Sequence, residues 1–133
     1  MTKSKSLDHA NHNSEVCGHL YSNTIYHDWV ITTAFYSSLH FILHKVFPLD
    51  IEVNKIDVTF ESFETYFSFF KKKYRNKHTA ITSLVETHHL NIAVDYNQLK
   101  DLCWSARYND YNYGKEFSKQ ATVLLSTIEA YCS

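Results

Sequence analysis

Residues 23–47 read NTIYHDWVITTAFYSSLHFILHKVF, and this stretch decides the fold. Ile25, Trp29, Tyr36, Leu43 and Phe47 recur near a helical period. Val30, Ile31, Phe35, Leu39, Phe41 and Ile42 make the same helix apolar most of the way round. A helix of that kind belongs at the centre of a bundle, because no face of it is suited to water. Ser22 and Asn23 offer N-caps, and Pro48 stops the helix from continuing.

Downstream, Ile51, Val53 and Ile56 alternate with polar residues in a loop over 49–58, read as an extended strip over the bundle rather than a sheet. Phe60, Phe63, Phe67, Phe70 and Tyr74 then recur at three- and four-residue steps, which predicts a second helix capped by Asp57 or Thr59. Ile81, Leu84, Val85 and His88 mark a third over about 77–89. Ile92, Tyr96, Leu99, Cys103 and Ala106 mark a fourth to about Tyr108, with Asn91 as its cap. A break at 111–114 precedes a last helix striped by Phe117, Ala121, Leu124, Ile128 and Tyr131. The expected fold is all-α, an up-and-down bundle of four to five helices in one domain over 16–133. Residues 1–15, a Lys, Ser, His and Asn mixture, read as a flexible polar tail.

Composition supports long helices and few corners. Two Gly and one Pro in 133 residues leave little for turn-rich β architecture, while ten Tyr, nine Phe and two Trp supply an aromatic surplus. Thirteen basic against fourteen acidic residues give a net charge of −1, so no broad phosphate-gripping face is expected, only a local patch. Cys17, Cys103 and Cys132 are odd in number and form no CxxC pair; with no apolar segment in the first fourteen residues, they read as reduced thiols in a cytoplasmic protein. No run approaches the roughly 18 apolar residues of a membrane span, and no membrane partner is expected.

Chemistry-bearing residues are sparse. His40 and His44 lie four apart, a spacing compatible with a metal but equally with core histidines; no zincin-type Glu stands beside them, and neither metal nor cofactor is expected. The run Lys71-Lys72-Lys73-Tyr74-Arg75-Asn76-Lys77-His78 is either a phosphate-contacting patch with an interleaved aromatic or a solvated helix end whose cations complement the macrodipole. Two glycines cannot build a phosphate-binding loop, and no GxSxG elbow is present. Cys103 falls on the buried stripe, where a thiol is an inert small hydrophobe. Arg107, at a helix end, either presents its planar fork to a phosphate or ties helix to loop through Asp101, Asp110, Tyr108 or Tyr111.

Two segments carry a resemblance. Asp28-Trp29-Val30-Ile31-Thr32-Thr33-Ala34-Phe35-Tyr36-Ser37-Ser38-Leu39-His40 resembles the first core helix of a prokaryotic HEPN group, which often reads DW…AFYAALH. Tyr96-Asn97-Gln98-Leu99, followed by Ser105-Ala106-Arg107-Tyr108, resembles that group's YxxL…S…ARY segment, and His78 falls near a recurrent His between them. The resemblance spans about 24–130. It implies a helical bundle, frequently a homodimer, that acts on or binds RNA in toxin–antitoxin, defence or stress systems, sometimes beside a small nucleotidyltransferase.

In catalytic members an Arg followed after four to six residues by a His cleaves RNA without metal. Here Arg107 is followed by Tyr108, Asn109, Asp110, Tyr111, Asn112 and Tyr113, with no His in reach. Asn112 occupies one permitted His position, and an amide cannot exchange a proton near neutral pH. The expectation is therefore a catalytically degenerate module that binds RNA, a nucleotide or a partner protein. Its phosphate contacts would come from Arg107, Tyr108, Asn112, Lys73, Arg75 and His78. The alternatives are an endoribonuclease using Arg107, Asn112 and His40, and a purely structural helical protein.

Overall fold

The computed structural model describes residues 3–23, 25–109 and 114–133. Its helices are α1 (Lys3–Asn23), α2 (His27–Val46), α3 (Phe63–Phe69), α4 (Lys77–His88), α5 (Ala93–Trp104) and α6 (Lys115–Cys132). Strands β1 (Leu49–Val53) and β2 (Ile56–Phe60) form the one sheet among the described residues, an antiparallel pair. A 3-10 turn, Leu90–Ile92, leads into α5, and a π-helical turn, Ser105–Asn109, follows it. The body is a helical bundle with a small hairpin, as its composition predicts. Among the described residues no helix is long and apolar enough to cross a membrane.

α2 is the central helix. Val30, Ile31, Ala34, Phe35 and Ile42 are fully buried, and α1, α4, α5 and α6 all pack against it. Ile25 and Trp29, which share its period, instead stand exposed at its N-terminal end. Phe35 lies near the middle of this core, its ring 5.8 Å from those of Tyr96 and Trp104. Leu99 and Cys103 of α5 and Ala121 and Ile128 of α6 close the core with no exposed surface.

The polar tail expected over 1–15 is a correction: from Lys3 onward it forms the first half of α1. Its small residues Ser6, Ala10 and Cys17 are buried, and Leu7, Leu20 and Tyr21 pack half-buried against the core. The Ser37 hydroxyl donates to the Ala10 carbonyl at 2.7 Å, and the Cys17 thiol to the Val30 carbonyl at 3.5 Å. Small side chains at the contact let the two helices approach closely, and the larger apolar ones flank it. Asn23 closes α1 by donating to the His19 carbonyl, and α2 starts after Tyr26 with no side-chain cap, so neither Ser22 nor Asn23 caps α2.

Four other expectations change. The strip over 49–58 is a hairpin whose corner, Asn54 and Lys55, has φ of 51° and 67°. Both corner residues are left-handed, as a two-residue hairpin corner requires, and Asn tolerates that region best after Gly. Across the ladder Thr59 donates to the Asp50 carboxylate. Phe60 therefore ends β2, and α3 starts only after Ser62, whose side chain and backbone exchange bonds with Thr65 as a capping box. Lys71, Lys72 and Lys73 lie in the turn beyond α3 rather than on its last turn. Asn91 sits inside the 3-10 turn and caps nothing.

Phe35→Ala is expected to lower unfolding free energy by about 3–5 kcal/mol, the usual loss for a buried Phe. Urea denaturation of the two proteins measures this. A loss under about 1 kcal/mol would contradict the central placement of that ring.

Candidate functional site

α4 and α5 lie side by side and run in opposite directions. The His78 ring, at the start of α4, stands 5.1 Å from that of Trp104, the last residue of α5. One turn further along α4, Thr82 accepts a hydrogen bond from Lys100 Nζ at 3.2 Å. Between the two helices opens a cleft of about 500 Å³, within the range of small-ligand sites. Arg75, His78 and Trp104 line one end, Thr82, Lys100 and Asp101 the middle, and Glu86 the far end. From His78 to Glu86 the α4 wall extends roughly 12 Å at the helical rise.

Asn76 caps α4, its side-chain oxygen accepting from the Thr79 amide at 2.9 Å, and Arg75 lies just outside the helix. Among the described residues neither Arg75 nor Lys100 is ion-paired with a carboxylate. His78 is half-buried, wedged among the rings of Phe35, Tyr36 and Trp104. Burial, with the positive charges of Lys100 and Arg107, lowers its pKa. Its Nδ1 has no hydrogen-bond partner among the described residues.

A second hollow, about 390 Å³, lies on the other side of Tyr36. Trp29, Tyr36 and His40 line it from α2, Asn13 from α1 and Arg107 from the π-helical turn. Arg107 is the one charged side chain lining it among the described residues. Its Nη1 donates to the Tyr36 hydroxyl at 3.0 Å, and its guanidinium carbon lies 6.0 Å from the centre of that ring. It also helps to hold the Cys103 thiol below where burial alone would put it; that thiol is still raised to about 11, first by burial, so it is not a nucleophile near neutral pH.

His40 stacks on His9 of α1 with ring centres 5.1 Å apart. Burial, then the neighbouring His9, lowers its pKa to about 4, with Glu64 opposing weakly. It is therefore a neutral imidazole at physiological pH, and its Nδ1 also lacks a partner among the described residues.

Of the residues singled out in the sequence, Arg75 and His78 come together in the first cleft and Arg107 and His40 in the second hollow, with His78 and Tyr36 between. Lys73 does not join them. Its ammonium lies 5.4 Å from the Tyr74 ring and 5.7 Å from that of Phe70, in a hollow facing the hairpin. Asn112 lies outside the described residues, as do Asp110 and Tyr111, and of Tyr108 only the backbone is described. Lys100, Trp104 and Tyr36 were not anticipated as site residues. The i,i+4 spacing of Lys100 and Trp104 on the less apolar edge of α5 is the signal that marks them. Among the described residues no three His, Cys, Asp or Glu side chains gather as a metal site. No family model, curated protein or solved structure matches the chain.

His40 makes stability pH-dependent in a defined direction. Its folded pKa, about 4, lies below the ordinary 6.5, so its contribution is present above pH 6.5 and falls away as pH drops toward 4. Stability measured by urea denaturation is expected to decline over that window, and His40→Phe to flatten part of the decline. An unchanged pH profile in His40→Phe would show that the ring is not buried in neutral form.

Proposed function

We propose that this chain is a HEPN-like helical module that binds RNA through a nucleotide held in the α4–α5 cleft and does not cleave it. The observation that carries the reading is the meeting of Trp104, Arg75, His78 and Lys100 along one cleft, with Arg107 beyond Tyr36. An aromatic face stacks on any base, and fixed cations hold phosphate, which is the minimal chemistry of a single-strand site. Net charge near zero fits a local site rather than a broad electrostatic face.

Absence of cleavage follows from proton chemistry. Phosphodiester cleavage without metal needs a general base and a general acid near their operating pH. His40 at about pKa 4 is too weak a base and is not protonated at pH 7; His78 is shifted the same way. One observation favours the alternative of an endoribonuclease: Arg107 and His40 share a hollow. A helical protein with a purely structural role is the remaining alternative, and it predicts no ligand at all.

A second copy is the proposed protein partner. Ile25, Tyr26 and Trp29 are exposed in sequence order at the start of α2, and Phe117 is exposed beside Ser118, whose hydroxyl meets His27 Nδ1 at 2.8 Å. Four large apolar side chains at one end of the bundle suit a self-complementary contact. The toxin–antitoxin, defence or stress setting, a cytoplasmic location and a small nucleotidyltransferase partner all belong to this proposal and rest on the sequence resemblance.

A fluorescently labelled single-stranded RNA is expected to bind the unmodified protein at low salt, with Trp104→Ala or Lys100→Ala weakening it at least about tenfold, the scale of a lost stacking or phosphate contact. Intact RNA after long incubation supports a binding role; cleavage abolished by both Arg107→Ala and His40→Ala would establish the ribonuclease instead. No binding would leave the structural role. Sedimentation at tens of micromolar, an order set by common dimer affinities, is expected to show a dimer that Tyr26→Glu dissociates. A monomer in the unmodified protein would reject the pairing.

A further inference from the structure

The α4–α5 cleft holds two acidic side chains that phosphate binding does not call for, Asp101 and Glu86. Both are exposed, and neither has an ion-pair partner among the described residues. Their positions differ. Asp101 stands one helical turn before Trp104, and side chains three apart on a helix are neighbours, about 5–6 Å between Cβ atoms. Glu86 is on the opposite wall, one turn past Thr82, which already faces Lys100. It therefore lies beyond the reach of a base stacked on Trp104.

A base stacked on Trp104 has the Asp101 carboxylate one helical turn away, and Lys100, four residues before Trp104 and held on Thr82, offers its ammonium to a phosphate in the same cleft. A carboxylate accepts hydrogen bonds and donates none. The edge it favours must carry donors. Guanine presents two adjacent N–H groups, N1 and the exocyclic N2, which match the two carboxylate oxygens. Adenine and cytosine each offer one amino group. Uracil offers one N–H flanked by two carbonyl oxygens, which a carboxylate repels.

From this geometry we infer that the cleft selects guanine-bearing nucleotides, with Asp101 reading the base edge. The inference rests on the reading of the cleft as a nucleotide site and goes further in assigning a base and the residue that chooses it. Pairing of both guanine N–H groups with both carboxylate oxygens gives the choice its size, because no other base offers two adjacent N–H groups to that fork.

Calorimetric titration of the unmodified protein with GMP, AMP, CMP and UMP tests it. GMP is expected to bind at least about tenfold more tightly than UMP, the scale of a bidentate base contact. Asp101→Asn and Asp101→Ala, checked for native circular dichroism, are expected to bring GMP to the level of UMP. Equal affinity for all four nucleotides, or a guanine preference that survives both variants, overturns the base assignment and leaves nucleotide binding standing. No heat with any of the four, and no RNA binding, removes the cleft reading with it.

Discussion

The Phe35 ring ties the core to the candidate site. It is fully buried in α2, and it lies within 5.8 Å of Tyr96 and Trp104 and 6.2 Å of His78. Those partners come from α5 and α4, the two walls of the cleft. Packing at interior density leaves such a ring no room to shift, so the walls are held at a fixed separation. The cleft is not a loop feature that forms on demand. It is the outer edge of an aromatic cluster whose inner edge is the hydrophobic core, and Trp104 belongs to both.

This dependence explains why the histidines are neutral. His78 sits against the same ring cluster, and aromatic surroundings that stabilise the fold also strip water from the imidazole. His40 loses water in a different way, beneath α1 and against His9. His78 stands between the positive charges of Lys100 and Arg107, whereas His40 faces His9, with the Glu64 carboxylate opposing its shift. The two cations favour the neutral form of His78 further. An acid–base pair needs the opposite arrangement, with a carboxylate or the dipole of a helix C-terminus supporting the charged imidazole.

Much of the bundle was legible because α2, α4, α5 and α6 carry large apolar side chains at helical pitch. The Phe35, Leu39, Ile42 and Val46 series leaves no other reading. α1 was not legible, because its fully buried contacts Ser6, Ala10 and Cys17 are small and its few larger apolar side chains, Leu7, Leu20 and Tyr21, are spread among the Lys, Ser, His and Asn of a polar segment. The hairpin was hidden for a related reason: its corner is Asn54–Lys55, with no glycine to announce two left-handed residues. Phe60, Phe63, Phe67 and Phe70 gave a false continuity, since an alternating strand that ends on Phe and a helix that starts three residues later reproduce a helical step by coincidence. Ser62 and Thr65, the capping pair, were the correct boundary signal.

The site was legible in its residues but not in its grouping. Arg75, His78, Arg107 and His40 stood out by type, yet sequence spacing cannot tell which of them share a hollow. Arg107 and Tyr36 are 71 positions apart and still meet through one hydrogen bond. That bond does more than tie the π-helical turn to α2. It aims the guanidinium into the hollow of Trp29 and His40 while Lys100 serves the cleft of Trp104, so the two cations sit on opposite sides of the Tyr36–His78 wall. On the proposed reading, a strand crossing the wall places one phosphate on each side, and the neutral imidazole between them accepts or donates a hydrogen bond without adding a third positive charge. Fixed cations with an uncharged spacer grip a polyanion and leave its bonds intact, which is the physical difference between holding RNA and cutting it.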